Sequence, residues 1–143
     1  MLKRLVLDTD VIVAAMRSPS GASAAILRAA RRGTITLLVS VPLVLEYEAV
    51  CLRLEHLTVT GFTEQETREI INTIIAISEK VSTFYMWRPQ LHDPNDEMVL
   101  ETAINGQADA LVTFNRKDYG IASTLFGIET LLPSEAIRRI KND

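Results

Sequence analysis

Two carboxylates spaced one residue apart, Asp8 and Asp10 in RLVLDTDVIV, directly follow the apolar run Leu5-Val6-Leu7. Further acids and an amide stand downstream: Glu46 in LEYEAV, Asp96 in HDPNDEM, and Asn115 with Asp118 in VTFNRKDY. Carboxylates brought together repel, by about 4 kcal/mol for two unit charges about 4 Å apart at an effective dielectric of about 20. Protonation could relieve that, but Mg2+ or Mn2+ satisfies several hard oxygens at once and leaves the acids ionised. Such an ion polarises a phosphoryl group and activates water, so the chemistry requires no nucleophilic Ser, Cys or His. One cysteine, Cys51, and two histidines, His56 and His92, are a poor basis for a zinc site, and a lone cysteine forms no internal disulfide.

The elements that must carry these side chains alternate. Residues 3–8 read as a central strand, followed by a short helix over VIVAAM that breaks at Ser18-Pro19 and a second helix from Ala22 to Arg32. TLLVS (36–40) is the next strand, Pro42 opens a helix to about Leu54, and Thr63 with Glu66 forms a capping box for a helix to about Glu79. VSTFY reads as a third strand, Asp93-Pro94 starts a helix to about Asn105, and ALVTF (110–114) and IETLL (128–132) complete five strands before a closing helix from Ser134. Arg17–Gly21, His56–Gly61 and Met86–Pro94 read as loops. This order predicts a three-layer α/β/α domain with a mainly parallel, roughly five-stranded sheet spanning residues 1–143.

Ligands in such sheets collect at the carboxyl ends of the strands, which selects Asp8, Glu46, Asp96 and Asn115, each delivered by a separate segment. Helical spacing places Asp96 on the side of Val99, Leu100, Ala103 and Ile104, with Glu97, Glu101 and Asn105 on the other, so Asp96 is expected to point inward. Glu46 lies at the margin of a stripe of Leu43, Tyr47, Val50 and Leu54. Asp8 is read as chemical and Asp10 as the helix N-cap; Asp93 is read as a cap and Asp109 as a solvated surface acid. Cys51 and the methionines read as packing residues, and Trp87 as a loop anchor.

LVLDTDVIVAAMRSPSGASAAILRA, VSVPLVLEYEAVCLR, HDPNDEMVLETAINGQADALVTFNRKDY and LLPSEAIRRI, in that order, resemble the PIN domain, in particular the VapC-type toxin ribonucleases. The resemblance implies a Mg2+- or Mn2+-dependent endoribonuclease that leaves 5′-phosphate and 3′-hydroxyl ends. By position it assigns metal binding to Asp8, Glu46 and Asp96, and it puts Asn115 where many members carry Asp. Asp10 and Asp118 are the residues able to return negative charge to that site. Arg17, Arg116 and Lys117 flank the edge and are the candidate cations for substrate phosphates. Toxin-like function further implies a homodimer and an antitoxin partner.

Two other readings compete. LDTD also resembles the opening of haloacid-dehalogenase-type phosphatases, with Asp8 as nucleophile and Asp10 as acid/base, but Ile12 departs from that motif and no late lysine and acidic pair follow a strand. Asn115 favours the other: a PIN-like RNA-binding or interaction module with a weakened site. The net charge of -3 argues against gripping nucleic acid by bulk electrostatics. A chain without a long apolar run or a secretory signal is expected in the cytoplasm, away from membranes.

Overall fold

The structure, a computed structural model, describes residues 2–83, 93–120 and 122–142. Strand β1 (Arg4–Leu7) carries Leu5, Val6 and Leu7, all buried, because helices cover both faces of the sheet. That burial explains a continuous apolar run where a half-exposed strand would alternate. β1 is flanked by β2 (Thr36–Val39) and β4 (Ala110–Val112), with β3 (Glu79–Lys80) and β5 (Glu129–Leu131) outermost, all parallel in the order β3-β2-β1-β4-β5. The architecture is the expected three-layer α/β/α sandwich.

Helix α1 (Thr9–Arg17) packs on α2 (Ala22–Arg31), which packs on α8 (Pro133–Asn142); α3 (Val41–Cys51) contacts α5 (Glu64–Ala76) and α6 (Pro94–Asn105). α6 lies across β1, β2 and β4 through a face that includes the fully buried Leu100 and Ala103. The chain builds from β1 to β2 and β3 on one side, then returns to β4 and β5 on the other. The order therefore reverses between β1 and β4, whose carboxyl ends border a crevice where ligands bind in open α/β sheets. Among the described residues no helix is long and apolar enough to cross a membrane.

Several local expectations are corrected. The helix after β2 stops at Cys51, and α4 (Leu54–Thr60) occupies most of the segment read as a loop, ending at Gly61 in the left-handed region. Leu54 is 78% exposed and so is no part of the α3 packing stripe. The third strand lies earlier than VSTFY, at Glu79–Lys80, with Val81 N donating to Val39 O as its last rung; Phe84 and Tyr85 fall outside the described residues, as do Trp87 and His92. A short α7 (Ala122–Leu125) precedes β5. Asp109 is a structural acid, since its Oδ2 accepts from the backbone N–H of Lys3 at 2.9 Å and of Arg4 at 2.8 Å. Glu97 and Glu101 are buried rather than solvent-facing, at 3% and 4% exposure, because α6 is enclosed on more than the side facing the sheet.

Candidate functional site

The register sets the first contact. Leu7 pairs with Val112 and Asp8 N donates to Val112 O at 2.9 Å, so Asp8 and Thr113 emerge side by side at the crevice. Asp8 Oδ2 accepts from Thr113 Oγ1 at 2.8 Å and from the Tyr119 hydroxyl at 3.0 Å, while Oδ1 accepts from Thr9 N at 2.7 Å. The last of these makes Asp8 the N-cap of α1. The division of labour between the two acids is thus corrected: Asp8 caps as well as facing the crevice, and Asp10, in the first turn, reaches across it. Asp10 Oδ2 accepts from Phe114 N at 3.2 Å and from Asn115 Nδ2 at 3.0 Å. Its other oxygen, Oδ1, is buried without a hydrogen-bond partner among the described residues.

Asp96 sits in the first turn of α6 behind the cap Asp93, whose side chain accepts from Asn95 N at 2.9 Å. It is partly buried, as its place at the head of the apolar stripe requires. Burial pushes the Asp96 carboxyl up to about 7, and the charges of Asp8, Asp93, Asp118 and Asp10 push the same way. Asp10 is pushed up to about 6, by burial first and then by Asp8. Asp8 is also raised by burial, against the lowering effect of its bonds to Thr113, Tyr119 and Thr9. The fold thus brings Asp8, Asp10, Asp96 and Asp118 within electrostatic range of one another.

Glu46 is placed differently. It lies half-buried on α3 and makes no hydrogen bond to Asp8, Asp10 or Asp96 among the described residues. Its neighbour Tyr47 is fully buried and donates to Leu7 O at 2.5 Å, which ties α3 to the end of β1. Ser40, the α3 N-cap, shares a 2.7 Å hydrogen bond with Thr102 of α6. These links hold the three acid-bearing helices around the crevice. Among the described residues no three His, Cys, Asp or Glu side chains already stand together as a group able to hold a metal ion.

The cations divide. Arg116 is engaged with Glu135 at 3.1 Å, an exposed pair that costs little to exchange, while Arg17 and Lys117 are exposed at the end of α1 and in the 3-10 turn Arg116–Asp118. Tyr119, Thr113 and Tyr47 were not legible as site residues from sequence. Only the downstream position of Tyr119 in NRKDY, three residues after Arg116, hinted at it. A cleft of about 450 Å3 lies at the opposite, amino end of the strands, where Arg4 is held by Glu79 at 2.6 Å and by Gly106 O. Its charged groups satisfy one another, so chemistry is better sought at the acidic edge, where Asp10 Oδ1 is unsatisfied.

A divalent cation suits that edge. The donors are all hard oxygens, one is buried without a partner, and three carboxyls are raised by burial and mutual repulsion that a cation would relieve. What is preformed is an acid pair with a third acid in range, rather than a closed cage.

Parallel strands with carboxylates gathered at the point where their order reverses define an α/β domain with an acidic carboxyl edge. The family model described as PIN domain matches residues 4–117, and the chain belongs to that family. Its fold is VapC-like, similar to the crystal structure of VapBC2 from Rickettsia felis bound to a DNA fragment from their promoter. That match has a TM-score of 0.60 and 16% identity, and covers 90% of this chain and 98% of that one. No curated protein matches the chain in sequence.

Proposed function

We propose that residues 1–143 form a single PIN-like domain that hydrolyses RNA phosphodiesters with Mg2+ or Mn2+ held at the carboxyl edge. The observation that carries this is the Asp8–Asp10 pair at the β1/β4 crevice with Asp10 Oδ1 buried and unpartnered. A bound divalent cation supplies water activation and charge neutralisation at phosphorus. Asp8, Glu46 and Asp96 hold it directly or through water, and Asp10 adds a further oxygen. Thr113 and Tyr119 fix the Asp8 carboxylate by donating to Oδ2, so its remaining lone pairs keep one direction. Asn115 orients Asp10 through its amide, Asp118 shapes the rim, and Arg17, Lys117 and an Arg116 released from Glu135 steady substrate phosphates.

Purified protein incubated with Mn2+ and single-stranded RNA is expected to yield fragments that EDTA suppresses and that Asp96→Asn loses. Equal cleavage by that variant would assign the activity to a contaminant. The likeness to VapBC2 supports reading the chain as the cytoplasmic toxin of a toxin–antitoxin pair, acting as a homodimer whose antitoxin covers the acidic edge.

The Asn115–Asp10 hydrogen bond favours a second reading, an RNA-binding or interaction module without catalysis, because the amide already occupies one Asp10 oxygen. Millimolar Mn2+ separates the two: an ion selective for the folded state raises the melting temperature, and a flat response favours the inactive module.

A further inference from the structure

Phe114 leaves the chain between Thr113 and Asn115, yet its ring belongs to a different surface from the acids. Its backbone N–H bonds Asp10, while its side chain, 49% exposed, lines a cavity of about 280 Å3. The other walls come from Ala14 within α1, Gly21 and Ser23 at the start of α2, and Leu132-Pro133 at the start of α8. The walls are mostly apolar, with three serines among them, Ser18, Ser23 and Ser134, of which only Ser23 is buried. Ser23 is 4% exposed, lines the cavity, and its hydroxyl has no hydrogen-bond partner among the described residues. A hydroxyl open to a cavity and without a protein partner is suited to a ligand's polar edge. Alongside it, the N-cap of α2 is Gly21, which supplies no side-chain cap, so the first-turn N–H groups of a ten-residue helix are left for an anion.

We infer that this cavity is a nucleotide subsite: it takes an unpaired base of the RNA strand next to the phosphodiester at the acidic edge, stacked on Phe114 and hydrogen-bonded by Ser23. The sugar-phosphate of the same nucleotide lies at the α2 N-terminus. An exposed aromatic ring beside a mostly apolar slot is the usual means of holding a splayed-out base, and the π-face accepts any base while the buried Ser23 hydroxyl grades among them. The inference rests on the ribonuclease reading for its substrate class. It goes beyond that reading in assigning Phe114 and Ser23 to substrate selection, with no part in metal binding.

The test uses the full chain in EDTA, where no strand is cut, and a fluorescent single-stranded RNA of about eight nucleotides, within the range of single-strand binding sites. An abasic strand of equal length is the comparison. The parent protein is expected to bind the base-bearing strand about tenfold more tightly than the abasic one. Phe114→Ala abolishes that preference and leaves abasic binding unchanged, whereas Phe114→Trp retains it. Ser23→Ala narrows the spread among homopolymers of the four bases. Equal binding of the two strands by the parent, or an undiminished preference in Phe114→Ala, overturns the subsite. Cleavage with Mn2+ is read separately. Active parent protein without base preference sinks the subsite alone, and base preference without any RNA cleavage sinks the nuclease reading alone.

Discussion

The Tyr119 hydroxyl donates to Asp8 Oδ2 at 3.0 Å, joining residues 111 positions apart at the centre of the acidic edge. Tyr119 is fully buried, and burial with the nearby charge of Asp8 pushes its phenol far above the ordinary range. It therefore remains a donor at every working pH, and with Thr113 it fixes the orientation of the Asp8 carboxylate.

Replacing Tyr119 with Phe keeps the packing and removes the donor. A hydrogen bond to a charged group contributes about 1.5–3 kcal/mol, so the variant should melt at a lower temperature. Losing a group that orients a metal ligand costs about 10- to 100-fold in metal affinity or activity. Titration with Mn2+ followed by melting temperature measures both, and a variant with parental Mn2+ affinity would remove Tyr119 from the site.

The raised acids make stability depend on pH in a stated direction. Asp10 and Asp96 are pushed to about 6 and about 7 from 3.8, so the folded state keeps protons that the unfolded chain has released. The resulting stabilisation is complete below the unfolded value and is lost as pH rises through the folded ones. Metal-free protein should thus lose melting temperature between about pH 4 and about pH 7, and Mn2+ should restore it mainly at the upper end. Asp96→Asn flattens the metal-free profile because it removes a titrating charge; parallel profiles for parent and variant would contradict the electrostatic account. Its RNA cleavage should fall by about a hundredfold or more, at least the loss expected for a group that only orients a ligand.

Asn115 donates to Asp10 and carries no charge, so Asn115→Asp exchanges a hydrogen bond for a repulsion. Without metal, the variant should be less stable at about pH 8, by about 1–3 kcal/mol from the lost partner alone. With Mn2+, the extra carboxylate should tighten binding. Isothermal titration gives the affinity, and weaker Mn2+ binding by the variant would place Asn115 outside the ion's surroundings.

Asp109 provides the contrast, an acid whose work is structural. Asp109→Ala removes the acceptor for two backbone N–H groups that begin β1, and leaving them unsatisfied costs about 1–3 kcal/mol. Because Asp109 lies at the amino end of the sheet, the shift in melting temperature that Mn2+ produces should match the parent's. Chemical denaturation with and without Mn2+ tests this, and a diminished Mn2+ shift would mean the two ends of the sheet are coupled.

The strands and their parallel order were legible because both determinants are local. Leu5-Val6-Leu7 and Ala110-Leu111-Val112 are short apolar runs, and the Thr63–Glu66 capping box lies within one helical turn. Asp8 and Asp96 could be singled out for the same reason, one ending a buried run and the other heading an apolar helical stripe. β3 was misplaced because Glu79 and Lys80 have no strand pattern of their own; they are a strand only because β2 offers them an edge.

Sequence by itself determined the alternation of strand and helix, and with it the parallel sheet whose carboxyl ends collect acids, since periodicity and caps are written within a few residues. Only the tertiary structure decided which acid does what. Asp8 and Asp10 differ because the register of β1 on β4 sets Thr113 beside one and Asn115 beside the other, and because a loop returning past Asn115 buries Tyr119 against Asp8. A carboxylate's role depends on its partners and its burial, and those are properties of residues about a hundred positions away rather than of its own neighbourhood in the chain.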